Sequence, residues 1–129
     1  MSITVNLRYT GKNGSARAFA EEMTSSGTVD AIRNEDGNLR YEYFISLNDP
    51  ETVLLIDEWT DQAAIDRHHA SPMMHKIAEL RDIYDLHMTA ERYVSDEGGA
   101  EKCFSVRCLH RKEVFFTQLF PELNPKAAA

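Results

Sequence analysis

The chain has 129 residues, 43% of them hydrophobic, which is enough for one domain with a real core. A net charge of −7 argues against nucleic acid or an anionic membrane surface as partner, since both demand clustered Lys and Arg. No apolar run approaches the length of a membrane span, and none has the pattern of a secretory leader, so a cytoplasmic protein is expected.

Ile3, Val5, Leu7 and Tyr9 alternate with Thr4, Asn6 and Arg8, the period of a half-buried strand with Asn6 on its polar side. Gly11 to Gly14 makes a turn, and Ser15 is placed to cap a helix with Ala16, Phe19, Ala20 and Met23 as its apolar stripe. The run from Thr24 to Thr28 ends or kinks that helix, and Val29 to Asn34 restarts it. Asp36-Gly37-Asn38 is a turn. A second strand runs from Leu39 to Leu47 with Tyr41 and Tyr43 on one face. Asn48-Asp49-Pro50 then folds the chain back as a hairpin.

The third strand, Val53 to Trp59, opens the stretch that holds most of the chemistry. It is apolar and β-branched, with Asp57 and Glu58 at its C-terminal end, where hydrogen bonds are expected to hold them beside Trp59. Thr60 or Asp61 caps a helix in which Ala64, Ile65, His68 and His69 share a side. Ser71 and Pro72 break it, Ser71 as cap and Pro72 as first residue of a second helix carrying Met73, Met74, Ile77 and Leu80. His68 therefore lies in a last helical turn, where free carbonyls favour a protonated ring and burial opposes it. No metal is assigned to His68, His69 and His75, because the break spoils their register. Tyr84 to Val94 gives a fourth strand.

Strand, helix, strand, strand, helix, strand is the order of an α+β, ferredoxin-like β-α-β-β-α-β fold. It has a four-stranded antiparallel sheet and both helical segments on one face. The other face is expected to carry Tyr, Leu and Trp side chains, Tyr41 and Tyr43 among them, and to be covered by a second copy of the chain. Residues 1–96 form this domain. Residues 97–129 are a C-terminal extension with a joint at Glu97-Gly98-Gly99, an extra strand over Lys102 to His110 and a short helix over Glu113 to Phe120. Its aromatic residues dock on the core or on the partner chain. Cys103 and Cys108 read as free thiols.

Gly37-Asn38-Leu39-Arg40-Tyr41-Glu42, Asp49-Pro50, Glu58-Trp59, His68 and Ser71-Pro72, in this order and spacing, resemble the antibiotic biosynthesis monooxygenase family over about residues 1 to 95. The resemblance implies a dimeric α/β barrel, a homodimer of ferredoxin-like units with a pocket in each subunit between sheet and helices. For some members it implies oxidation of polycyclic aromatic phenols by O2 without metal, flavin or haem. Haem-degrading relatives use an Asn on the first strand and a Trp and a His on the second helical unit. Asn6 matches the first, but His68 and Ala78 stand at the other two positions, so no haem and no other cofactor is assigned.

On this reading the candidate catalytic residues are His68, Asn6 and Trp59, looking into one apolar hollow. His68 takes a phenolic proton near neutral pH, Asn6 orients a carbonyl or dioxygen, and Trp59 forms a wall. Tyr41, Met73 and Met74 are candidate substrate contacts. Each also has a plain reading: a helix-end imidazole, a strand-pairing amide, a core indole, a dimer-face tyrosine, core filling. The function expected is a cofactor-independent monooxygenase acting with O2 on a small aromatic or quinol substrate. One alternative is a small-metabolite isomerase of the same fold, needing a cationic clamp from Arg8, Arg40 and Arg67. The other is a non-catalytic ligand-binding dimer.

Overall fold

The computed structural model describes residues 1–96, and the expectations placed on residues 97–129 lie outside that range. The elements run β1 (Ile3–Thr10), α1 (Ser15–Ser25), α2 (Thr28–Arg33), β2 (Asn38–Ile45), β3 (Thr52–Trp59), α3 (Gln62–His69), α4 (Met73–Ile83) and β4 (His87–Val94). All neighbouring strands are antiparallel, in the order β2-β3-β1-β4. This is the ferredoxin-like arrangement, with each helical segment of the pattern split in two.

The helices are held by the apolar stripes that mark them. Phe19 and Met23 of α1, Val29 and Ile32 of α2, Ala64 and Ile65 of α3, and Ile77 and Leu80 of α4 close on Ile3, Tyr9, Tyr41, Leu55 and Trp59 of the sheet. Phe19 is the centre of an aromatic group, with ring centroids 5.0 Å from Tyr9, 6.3 Å from Tyr43 and 6.4 Å from Tyr84. No helix among the described residues is long and apolar enough to cross a membrane.

The helix starts differ from expectation. Ser15 does not cap α1: its Oγ accepts the Lys12 N–H at 3.0 Å, and left-handed Gly14 occupies the cap position. The Gly14 N–H finds its acceptor in the Glu51 carboxylate, 3.1 Å away. Ser71 does not cap α4 either. The helix begins at Met73 with Pro72 before it, and Ser71 Oγ is buried with no partner among the described residues. Asp61, by contrast, accepts the Ala64 N–H at 2.9 Å as a helix-capping acid should. Tyr84 ends α4 instead of opening β4, because Asp85 turns left-handed, and the strand starts only at His87.

The larger correction concerns the sheet. Tyr41, Tyr43 and Trp59 lie beneath the helices, not on the open face. A bulge between Asn38 and Arg40 sets the register that brings Tyr41 opposite Asp57 and Tyr43 opposite Leu55. The open face carries Arg40, Glu42 and Phe44, then Leu54, Ile56 and Glu58, then Thr4, Asn6 and Arg8, then Thr89, Glu91 and Tyr93. It is mainly polar, and the ion pairs Arg40–Glu42 and Arg8–Glu91 lie on it.

Candidate functional site

β3 is the strand that builds the site. Alternation sends Val53, Leu55, Asp57 and Trp59 to the helix side, and all four are buried. The Asp61 cap then fixes where α3 begins. His68, seven residues on and about two turns later, returns over the sheet. It is 4% exposed, and its ring lies 4.8 Å from that of Trp59, tilted by 31°.

The structure gives the His68 ring a partner that the sequence does not mark. Nδ1 lies 3.0 Å from Glu35 Oε1 and 3.2 Å from Oε2, a contact that spans 33 positions of chain. Glu35 is held there by the turn after α2, where its N–H donates to the Ile32 carbonyl at 3.0 Å. A carboxylate on one ring nitrogen fixes the imidazole's orientation and tautomer, an arrangement that readies a histidine for proton transfer.

Asp57 precedes Trp59 by two positions on the same buried face of β3. It is 7% exposed, and its Oδ1 has no hydrogen-bond partner among the described residues, so the hydrogen bonds expected to hold it are incomplete. Burial pushes its pKa up to about 7; the Trp59 indole N–H pulls it down and the Glu35 charge pushes it up. Tyr41, 3% exposed, stands opposite, and its hydroxyl lies 3.5 Å from that of Tyr43. Burial raises Tyr9 to about 12 and holds Tyr41 and Tyr43 well above the ordinary phenol value, so all three stay neutral.

Glu35, His68, Trp59, Asp57, Tyr41 and Tyr43 thus form a line of polar and aromatic groups along the covered face. His68, Trp59 and Tyr41 of the expected residues belong to it. Asn6 does not. Its register partner on β3 is Ile56, its neighbours Val5 and Leu7 pack on the core, and alternation puts its amide on the open face. The sheet therefore separates Asn6 from the other two candidate catalytic residues, although Asn6 Oδ1 is itself buried without a partner among the described residues. Met73 and Met74 of α4 are half-buried against the core. The three arginines of the isomerase alternative do not converge. Arg8 and Arg40 lie on the open face paired with Glu91 and Glu42, and Arg67 pairs with Asp36 at 3.6 Å on the surface.

Sequence reasoning passed over Glu35, Asp57, Tyr9 and Tyr43 as site residues. For Asp57 the signal was present: an acid among the core-facing positions of an apolar strand. Glu35 gave none, because its contact is made only by tertiary folding. At the far end of the covered face, a cleft of about 370 Å³ opens between α1 and the β2–β3 edge, with Tyr43 in its wall.

Solved structures share this fold. The chain is similar to a Deinococcus radiodurans protein provisionally named an antibiotic biosynthesis monooxygenase, with TM-score 0.65 and 20% identity over 75% of this chain and 94% of that one. A conserved protein of Methanosarcina mazei Go1 matches with TM-score 0.65 and 22% identity, over 74% and 94% of the two chains. The N63A mutant of SnoaB, a cofactor-independent oxygenase of Streptomyces nogalater, matches with TM-score 0.62 and 17% identity, over 74% and 94%. The comparison with curated proteins gives no match. The family model described as antibiotic biosynthesis monooxygenase matches residues 2–80, more than half of the chain, and spans the elements from β1 into α4 that carry the polar line. The chain belongs to the antibiotic biosynthesis monooxygenase family.

Proposed function

We propose that the protein is a cofactor-independent monooxygenase that oxidises a small phenolic or quinol-type aromatic with O2. The observation that supports it is the buried acid–base group beneath the helices, with His68 held by Glu35 against the Trp59 ring and Asp57 two positions before Trp59 on the same face of β3. Removing a phenolic proton leaves an electron-rich anion, and that anion transfers one electron to O2. The radical pair joins through carbon to a hydroperoxide, and loss of water leaves a quinone carbonyl. One oxygen atom enters the substrate. The other departs as water with two hydrogens taken from the substrate, so no external reductant is consumed. His68 is the proton acceptor in this scheme, Glu35 its positioning residue, and Trp59 the aromatic wall. Tyr41, Met73 and Met74 remain the proposed substrate contacts. Asn6, on the opposite face of the sheet, takes no part in this scheme. The protein acts as a homodimer, paired through the open face around Phe44, Leu54 and Ile56.

Oxygen uptake with a panel of hydroquinones and hydroxylated polycyclic aromatics tests this reading. The expected result is substrate-dependent O2 consumption with quinone formation, reduced by a factor of about 10²–10⁴ in His68→Ala, the usual yield of one general base. Uptake that is the same in wild type and His68→Ala removes the imidazole from the reaction, and no uptake with any of the panel removes the activity.

A further inference from the structure

We propose that Asp57 is the second proton carrier of the site: it gives a proton to the substrate-bound peroxide and takes one from the carbon that becomes the quinone carbonyl. The inference rests on the oxygenase reading above and completes its proton transfers. His68 alone does not supply them. Its Nδ1 is taken by Glu35, so Nε2 is left to carry one substrate proton at a time. Loss of water from the hydroperoxide needs a base at carbon and an acid at oxygen in the same event, and one imidazole cannot be both.

Few groups are able to share the work. Apart from tyrosines, the buried polar side chains among the described residues are Thr28, Asp57 and His68. Thr28 Oγ1 is engaged with Ser26 Oγ at 2.9 Å. Burial holds the phenols of Tyr9, Tyr41 and Tyr43 far above neutrality, so none of them exchanges a proton there. Asp57 differs. Its Oδ1 has no hydrogen-bond partner among the described residues, although the residue is 7% exposed. An unsatisfied carboxyl oxygen in a core calls for a use, and an acid that exchanges protons with a substrate has to be free of neighbours. Burial keeps the carboxyl protonated up to about pH 7, a range that suits giving a proton and recovering it. Trp59 links the two carriers. Its ring lies 4.8 Å from that of His68, and its indole N–H favours the carboxylate that Asp57 becomes. A proton on His68 also neutralises the Glu35 charge, which otherwise holds the Asp57 proton in place. The first transfer thus eases the second.

The steps balance. His68 takes the phenolic proton. Joining of the radical pair at carbon leaves a peroxide anion, and Asp57 protonates it. The Asp57 carboxylate then removes the hydrogen from that carbon. The C–H electrons form the carbonyl, the O–O bond breaks, and the departing hydroxide takes the proton from the His68 imidazolium. Both residues return to their starting state as one water leaves.

The test gives the full-length protein 1-naphthol, whose carbon para to the hydroxyl carries a hydrogen, and follows O2 and 1,4-naphthoquinone together. Wild type should form one quinone per O2. Asp57→Asn keeps the shape of the side chain and exchanges no proton; its Tm checks that it folds. Its first-turnover O2 uptake should persist, while quinone formation slows by a factor of about 10²–10⁴, the usual yield of one acid–base group. The O2 adduct of 1-naphthol should then accumulate, as seen by mass spectrometry of quenched samples. His68→Ala should lose O2 uptake and quinone together. Quinone formation at the wild-type rate in Asp57→Asn leaves the acid a structural group. Equal loss of O2 uptake and quinone in that variant places it ahead of the oxygen step. Either result overturns the assignment and leaves the oxygenase standing. No O2 uptake by wild type with 1-naphthol or any other member of the panel discards the oxygenase, and this role with it.

Discussion

β1 sends Val5 and Leu7 toward the helices and Asn6 and Arg8 to the open side, and the same alternation along the other strands divides the sheet into two unlike faces. On the covered face, polar groups are few, buried and tied to aromatic rings: His68 to Trp59, Tyr41 to Tyr43. On the open face they are many, and the exposed charges Arg8 and Glu91, Arg40 and Glu42 are paired with each other. An imidazole beneath the helices has its partner chosen by packing, while an arginine on the open face has water as an alternative. Chemistry that needs a dry, fixed group has its materials on one side only.

The difference should appear most strongly in apolar substitutions. Phe19→Ala removes a fully buried ring that meets Tyr9, Tyr43 and Tyr84, and should cost about 3–5 kcal/mol of unfolding free energy. Phe44→Ala on the open face, where the ring is 36% exposed, should cost under about 1 kcal/mol in the monomer. Urea denaturation of the two variants measures both. Equal losses would mean that the open face is as enclosed as the covered one.

Asp57 sharpens the comparison through pH. Its carboxyl is raised from 3.8 to about 7 by burial, so the folded chain holds this proton where the unfolded chain has released it. Between about pH 4 and 7 the native state binds more protons than the unfolded state, and stability falls as pH rises. The penalty is absent below the unfolded pKa and complete above about 7, where a shift of that size corresponds to about 4 kcal/mol. Asp57→Asn keeps the shape and the acceptor for the indole N–H, and cannot ionise. It should be more stable than wild type at pH 8, and the advantage should vanish by pH 4. Unfolding free energies measured across this range check the sign. A difference that does not change with pH would mean that the carboxyl is already solvated.

The architecture was legible because each element repeats its own signal. Ile3 to Tyr9 alternates strictly, Val53 to Ile56 is a continuous apolar run of strand length that leads to Trp59, Phe19 and Met23 keep helical spacing, and Asp49-Pro50 and Asp36-Gly37 punctuate the strands. What the sequence could not supply was the absolute face. The period of two says that Tyr41 and Tyr43 lie together, but not which side the helices cover, and the bulge after Asn38 changes the register locally. The candidate site suffered for the same reason. Asn6 was grouped with His68 and Trp59 by family pattern, and alternation along β1 sends it to the other side. Glu35 stayed hidden because the turn that delivers it to His68 carries no local mark of that contact.

The two faces can finally be compared pair against pair. Glu35 and His68 meet with side chains 18% and 5% exposed, whereas Arg8 and Glu91 meet with theirs 45% and 47% exposed. Glu35→Gln leaves the ring nitrogen with a neutral partner. Glu35→Ala leaves it bare inside the protein, which should cost about 1–3 kcal/mol. The open-face pair holds Glu91 below the ordinary carboxylate range, through hydrogen bonds from Tyr93 and then Arg8. Water and salt compete for it directly, so its coupling should fade as ionic strength rises. Double-mutant cycles on both pairs, run in low and high salt, should show a Glu35–His68 coupling that persists and an Arg8–Glu91 coupling that does not. If salt erodes both alike, His68 is in contact with solvent, and the dry acid–base group required for oxygen chemistry is lost with it.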